Sequence, residues 1–146
     1  MFRGRFVHTI DAKGRVSIPA GIRMELQRRS QLAPILTIRP EHLVLFAHED
    51  FDAFAQRLLS VDPLNLEGQE LARFFLSHSE ECAPDAQGRI LIPAHMRAHA
   101  GLEKEVVVAG VGNWIEIWDR RRFEEGQART LARFKEISAE VSKLGH

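Results

Sequence analysis

Two short stretches of the chain carry residue types that can do chemistry at a fixed spacing. "DAKGRVSIPAGIR", residues 11–23, returns as "DAQGRILIPAHMR", residues 85–97, with eight of thirteen positions identical at an offset of 74. Each copy sets an aspartate four residues before an arginine: Asp11 and Arg15, then Asp85 and Arg89. An acid that opens a tight turn accepts backbone N–H bonds, and an arginine four residues on can return across the hairpin to pair with it. The pairing has two readings. It stabilises the turn, or it holds a strand-borne guanidinium in one rotamer, ready to meet a phosphate or a guanine edge at small ordering cost. One residue pair can do both.

Other chemistry has little to stand on. His95 and His99 lie at i and i+4 on a predicted helix, a zinc-site spacing, but no third ligand and no HExxH accompany them. His78 and Cys82 read as flanks of a strand start. No GxSxG or P-loop occurs, and the "GVG" at 110–112 reads as a hairpin turn with Asn113 rather than as GxGxxG. No metal, cofactor, small-molecule substrate or enzymatic activity is expected. Trp114, Trp118 and Phe123 fit core or interface better than base stacking. "DRRRF" at 119–123 reads as a solvated helix start, with a second phosphate patch as the alternative.

Charge separates the two copies. The chain is neutral overall, with 20 Lys and Arg against 20 Asp and Glu, which argues against a general polyanion binder. Residues 1–30 hold seven cations (Arg3, Arg5, Lys13, Arg15, Arg23, Arg28, Arg29) against Asp11 and Glu25, whereas residues 79–119 hold seven acids against three cations. Arg15 is therefore the leading candidate for a DNA contact, and Lys13, beside the turn glycine, suits a phosphate. Arg3, Arg5 and Arg23 are expected to extend the same basic surface. Arg89 lies among acids and is expected, with Asp11, Gly14, Asp85 and Gly88, to hold the turns. An ordinary solvated basic face is the competing account of the whole cluster.

The elements that must position these residues are legible in outline. "FVHTI" and "VSI" read as strands around the "DAKG" reversal, with Gly14 and Gly88 the residues expected at positive φ. Pro19 and Pro93 fit the first turns of short helices at 20–28 and 94–100, with Gly101 a stop for the second. Hairpins follow at 35–39 with 43–46 and at 105–109 with 114–118. Phe51, Phe54, Leu58 and Leu59, then Leu66, Leu71, Phe74 and Phe75, fall at helical spacing on either side of Asp62-Pro63. The stretch 119–143 reads as one helix with Phe123, Leu131, Phe134, Ile137 and Val141 on its apolar stripe. The order is β, short α, β hairpin, long α, twice over, which is a duplication.

Size and composition agree with that reading. At 146 residues and 45% apolar content the chain is globular, and units below about 70 residues bury too little to stand alone, so the halves must share a core. The single Cys82 allows no internal disulfide. No apolar run approaches the roughly 20 residues of a membrane span, and "MFRGRFVHT" lacks the apolar run of a secretion signal, so a cytosolic location without membrane contact is expected.

The doubled "D-A-[KQ]-G-R-x-x-I-P-A", the opening "MFRGRFVHT" and the late "GLEKEVVVAGVGNWIEIW" together resemble the MraZ family, bacterial proteins built from two tandem modules of the SpoVT-AbrB type. The likeness covers nearly the whole chain, and the paired D-x-x-x-R motifs are its signature. "IRPEHL" at 38–43 departs from it, standing where the family usually has a more glycine-rich hairpin tip. The resemblance implies a β-rich α+β fold. Two swapped-hairpin modules, 5–52 and 81–124, with a helical connector at 53–80 and a C-terminal helix at 125–146, would form one pseudo-two-fold β-barrel with peripheral helices. It further implies a homo-oligomeric ring and a cytoplasmic, nucleoid-associated transcriptional regulator. Such a regulator binds short direct repeats of double-stranded DNA upstream of the division and cell-wall gene cluster. On this expectation the first copy reads the major groove from a ribbon, the second mainly completes the fold, and the amino-terminal arginines form one ridge. The alternative is an oligomeric scaffold whose basic face meets an acidic protein.

Overall fold

Branched and apolar runs become strands, and the proline and aspartate punctuation becomes the joints between elements. A computed structural model describes residues 1–144. The first copy contributes β1 (Arg5–Thr9), β2 (Arg15–Ser17), α1 (Ala20–Arg29), β3 (Ile35–Ile38), β4 (Leu43–Phe46), α2 (His48–Leu59) and α3 (Leu66–Ser77). The second contributes β5 (Glu80–Glu81), β6 (Arg89–Leu91), α4 (Ala94–Ala100), β7 (Glu105–Gly110), β8 (Ile115–Asp119), α5 (Arg120–Ala132) and α6 (Phe134–Ser142). Pro19 and Pro93 stand at the starts of α1 and α4, each accepting an N–H bond from the arginine four residues later. The Asp62-Pro63 break separates α2 from α3, and the Asn65 side chain caps α3 by accepting from the Gly68 N–H at 3.0 Å.

The two copies exchange strands. A six-stranded antiparallel sheet runs in the order β1-β7-β8-β4-β3-β5, and β2 pairs with β6 in a separate two-stranded ribbon. β1 of the first copy pairs with β7 of the second, and β5 of the second pairs with β3 of the first. β4 and β8 meet at the centre. Exchanging each strand for its counterpart in the other copy reverses the order onto itself, so the sheet carries a pseudo-two-fold axis between β4 and β8.

The main core lies between the inner face of the sheet and the ribbon with its two short helices. Val16, Ile18, Ile22 and Leu26 from the first copy and their counterparts Ile90, Ile92, Met96 and Ala100 from the second share it with Leu36, Leu43, Leu45, Val106, Val108, Ile115 and Ile117. The outer face is covered too. Ile35, Val44 and Phe46 pack under Phe51 and Ala55 of α2, and Val107 and Ala109 under Phe123 of α5. Burial on both faces is why "ILTI", Thr37 apart, "LVLF" and "VVVA" are apolar throughout rather than alternating. Thr37, fully buried, donates from its hydroxyl to the Phe75 carbonyl at 2.7 Å, which removes the cost of its burial.

One expectation fails in its geometry. The stretch 119–143 forms two helices, because the chain departs from helical dihedrals at Arg133 (φ −110°, ψ 17°). Of the apolar stripe only Phe123 is buried; Leu131, Phe134 and Val141 are exposed. Arg133 and Ile137 line a groove of about 540 Å³ with Glu116, Trp118 and Phe123. The last two positions of the C-terminal segment expected at 125–146 lie outside the described residues.

Candidate nucleic-acid interface

The ribbon is built from three residues of each copy. Its register pairs Arg15 with Leu91, Val16 with Ile90 and Ser17 with Arg89. Alternation along a strand sends Val16 and Ile90 inward, where both are fully buried, and turns Arg15, Ser17, Arg89 and Leu91 to the outer face. Arg15 and Arg89 are thus diagonal neighbours, a relation that places Cα atoms about 7–8 Å apart in antiparallel ribbons.

Each arginine is held by its own aspartate. Asp11 accepts through Oδ1 from the backbone N–H groups of Lys13 and Arg15, both at 2.9 Å, and through Oδ2 from Nε of Arg15 at 2.7 Å. Asp85 repeats the pattern with the N–H groups of Gln87 and Arg89 and with Arg89 Nε at 3.1 Å. The backbone N–H of Arg15, aided by that guanidinium and by the Lys13 N–H, holds the Asp11 carboxyl down at about 2; the equivalent bonds lower Asp85. Gly14 and Gly88 close the turns at φ of +88° and +77°.

The copies differ at the tip. Among the described residues the two Nη groups of Arg15 have no hydrogen-bond partner, whereas Arg89 Nη2 lies 3.4 Å from the side-chain oxygen of Gln87. Lys13, exposed, stands where the second copy has Gln87. The first turn therefore offers two unengaged Nη groups and an ammonium, and the second offers one guanidinium partly engaged.

The remaining basic residues do not join them as one ridge. Arg23 turns inward: its Nη1 donates to the Ile18 carbonyl at 3.1 Å, and the guanidinium packs on Gly88. Arg5 pairs with Glu124 of α5 and lies 4.9 Å over the Phe123 ring. It stands six residues before Asp11, roughly 20 Å along an extended chain. Arg3 is exposed beyond it, at the far end of the same edge. Arg28 and Arg29 are neutralised by Glu25, whose carboxyl they hold well below the usual range, and Arg29 also pairs with Asp50. The physical reason for the split is that cations close in sequence point to different neighbours once the strand exchange is made.

The residue that sequence reasoning missed is Arg97, the counterpart of Arg23. Its Nη1 donates to the Ile92 carbonyl at 2.7 Å and to the Lys13 carbonyl of the first turn at 3.3 Å. A signal was present, since Arg23 and Arg97 are among the eight identities of the repeat.

Other candidate residues are engaged elsewhere. His99 Nε2 contacts the Arg39 carbonyl at 2.7 Å, and His95 lies 4.0 Å from Glu80; among the described residues no group of three His, Cys, Asp or Glu could hold a metal ion. Trp114 and Trp118 both donate to Glu116, and Trp118 stacks on His42 at 4.1 Å. His42 Nε2 lies 3.5 Å from Glu116, an ion-pair separation whose geometry stops short of a hydrogen bond. Burial opposes ionisation of Glu116, but His42 and the two indoles bring it down to about 2. "DRRRF" starts α5: Asp119 accepts from the Arg122 N–H, and Arg120 and Arg121 pair with Glu105 and Glu125. Burial pushes the Cys82 thiol up to about 12, and among the described residues no helix is long and apolar enough to cross a membrane.

Comparison with known proteins agrees with the doubling of the sequence. The family described as "MraZ protein, putative antitoxin-like" matches residues 1–72 and 75–143. A protein named transcriptional regulator MraZ from Thermoanaerobacter pseudethanolicus is 39% identical over 144 residues, covering 99% of both chains. Proteins of the same name from Alkaliphilus oremlandii and Moorella thermoacetica are each 37% identical, the first over 99% of both chains and the second over 97% of this chain and 96% of the relative. With both Asp-Arg turns in place and the match running along almost its entire length, the chain belongs to the MraZ family.

Proposed function

We propose that this protein is a transcriptional regulator that binds double-stranded DNA through the β2–β6 ribbon and its two turns. The observation that carries the reading is Arg15. Its Nε is fixed by Asp11 on the outer face of a two-stranded ribbon while its Nη groups have no hydrogen-bond partner among the described residues. A major groove admits a two-stranded ribbon, and a preordered guanidinium meets a guanine edge or phosphate without first losing its rotamer freedom. Lys13 adds a phosphate contact, and Arg89 joins from the second copy, so that copy does more than complete the fold. Arg5 and Arg23 drop out of the direct contacts because their guanidinium groups are engaged by Glu124 and by the Ile18 carbonyl, and Arg3 because it precedes β1 at the end of the edge away from the turn. Three contacts per subunit correspond to a log–log salt slope of about −2.7.

The finer reading is a homo-oligomeric ring, with residues 5–52 and 81–124 as its repeating modules. The ring would act in the cytoplasm at the nucleoid, on short direct repeats upstream of the division and cell-wall gene cluster. Leu64, Leu66 and Leu71 near and on α3, and Leu131, Phe134 and Val141 on α5 and α6, are exposed apolar residues that a second copy would cover. Several subunits on successive repeats raise affinity through effective concentration. The names of the relatives support regulation of transcription.

The test is fluorescence anisotropy on the upstream fragment against scrambled DNA, with wild type and Arg15→Ala, both checked for fold by circular dichroism. Arg15→Ala is expected to weaken specific binding by about tenfold or more per subunit, in line with 1–3 kcal/mol for a bidentate contact. Unchanged binding rejects the assignment.

A further inference from the structure

We propose that Arg97 and Arg23 are positioning residues that brace the turns crosswise: Arg97 of the second copy fixes the Asp11–Arg15 turn, and Arg23 of the first fixes the Asp85–Arg89 turn. The effect on DNA binding rests on the reading above, whereas the bracing itself is a property of the free protein.

The packing is reciprocal, and Arg97 in addition bonds a carbonyl of the opposite turn. Arg97 Nη1 bonds the carbonyls of Ile92 and Lys13, and a Cβ added at Gly14 would stand 1.6 Å from that nitrogen and 2.6 Å from Cζ. Arg23 Nη1 bonds the Ile18 carbonyl, and a Cβ at Gly88 would stand 2.0 Å from it and 2.7 Å from Cζ. Each guanidinium thus occupies the space left by the missing side chain of the other copy's turn glycine. Backbone bonds run the same way, from Ile92 N–H to the Gly14 carbonyl and from Ile18 N–H to the Gly88 carbonyl, both 2.9 Å. The helix starts at Pro19 and Pro93 set where the two arginines begin, since each donates its own N–H to the proline carbonyl.

The chemistry explains the residue type. Arg97 joins carbonyls of two separate segments from one nitrogen, Nη1, while its flat guanidinium fills the space above Gly14, a planar shape that the compact ammonium of lysine does not reproduce. Among the described residues neither Arg23 nor Arg97 forms an ion pair, so their ligands are carbonyls and their charge stays beside the turns. Glycine is required at 14 and 88 both by positive φ and by the guanidinium that fills the space above.

Hydrogen exchange on the full-length protein tests the bracing. Arg97→Ala is expected to speed exchange about tenfold in peptides covering 11–16 and to leave 85–90 near wild type; Arg23→Ala does the converse. Arg97→Lys is expected to behave like the alanine variant. No change at 11–16, a rise confined to the variant's own copy, or rescue by lysine overturns the proposal. If Arg97→Ala does not fold, Arg97→Lys and Arg97→Gln carry the measurement. A double-mutant cycle on DNA then separates positioning from contact. The affinity loss from Arg97→Ala should shrink to within about twofold in an Arg15→Ala background. Equal losses in both backgrounds mean that Arg97 touches DNA itself and overturn the proposal. If Arg15→Ala alone leaves DNA binding intact, the DNA reading fails, while the exchange data still decide the bracing.

Discussion

One carboxylate oxygen separates a fixed guanidinium from a flexible one at Arg15. An arginine carries about 2 kcal/mol of rotamer entropy, and the Asp11 Oδ2 bond removes part of that cost before any partner arrives. Protonation undoes it. Asp11 titrates at about 2 in the folded chain against a usual 3.8, so its contribution to stability is full above about pH 4 and is lost as the pH falls through about 2. A carbon-13 titration of the carboxyl is expected to show a midpoint near 2, with the Arg15 Nε–H signal lost in step; a midpoint near 4 would mean that the bonds do not hold in solution. This pair was legible in sequence because aspartate, glycine and arginine interact within five residues of one another. The packing of Arg23 was not legible, because its partner turn lies some 65 residues downstream, and nothing in its local sequence names Gly88.

At the scale of elements, the ribbon is too short to persist alone. Strands of three residues gain their place from Val16, Ile18, Ile90 and Ile92, all but completely buried against the sheet. Ile90→Ala is therefore expected to cost about 2–5 kcal/mol in denaturant unfolding and to weaken DNA binding with every basic residue intact. A loss under 1 kcal/mol, roughly that of an Ile→Val change, would show that the ribbon stands without its anchor. Hairpins and short helices were legible because their branched runs, prolines and glycines act locally. The bend at Arg133 was not, because the helical period runs through it with no proline or glycine at that point to mark a break.

For the whole molecule, the strand exchange removes the boundary between copies. β1 has its ladder in the second copy and β5 has its ladder in the first, while a single core cluster draws on both. Unfolding followed by Trp114 and Trp118 fluorescence, in the second copy, and by hydrogen exchange of β3 and β4, in the first, is expected to give one midpoint. Two midpoints would show that the halves are stable apart. Duplication was plain in the sequence, and so was the need for a shared core. Which strand crosses to which hairpin was not readable from residues alone, because every apolar strand of the sheet fits either neighbour.

The exposed link around Asp62 and Pro63 lies on the covalent path from the strands of the first copy to those of the second, yet among the described residues the strand pairings that join the copies lie elsewhere. A protease that nicked it would sever the polypeptide and leave the particle whole: two fragments travelling together until denaturant lets them part.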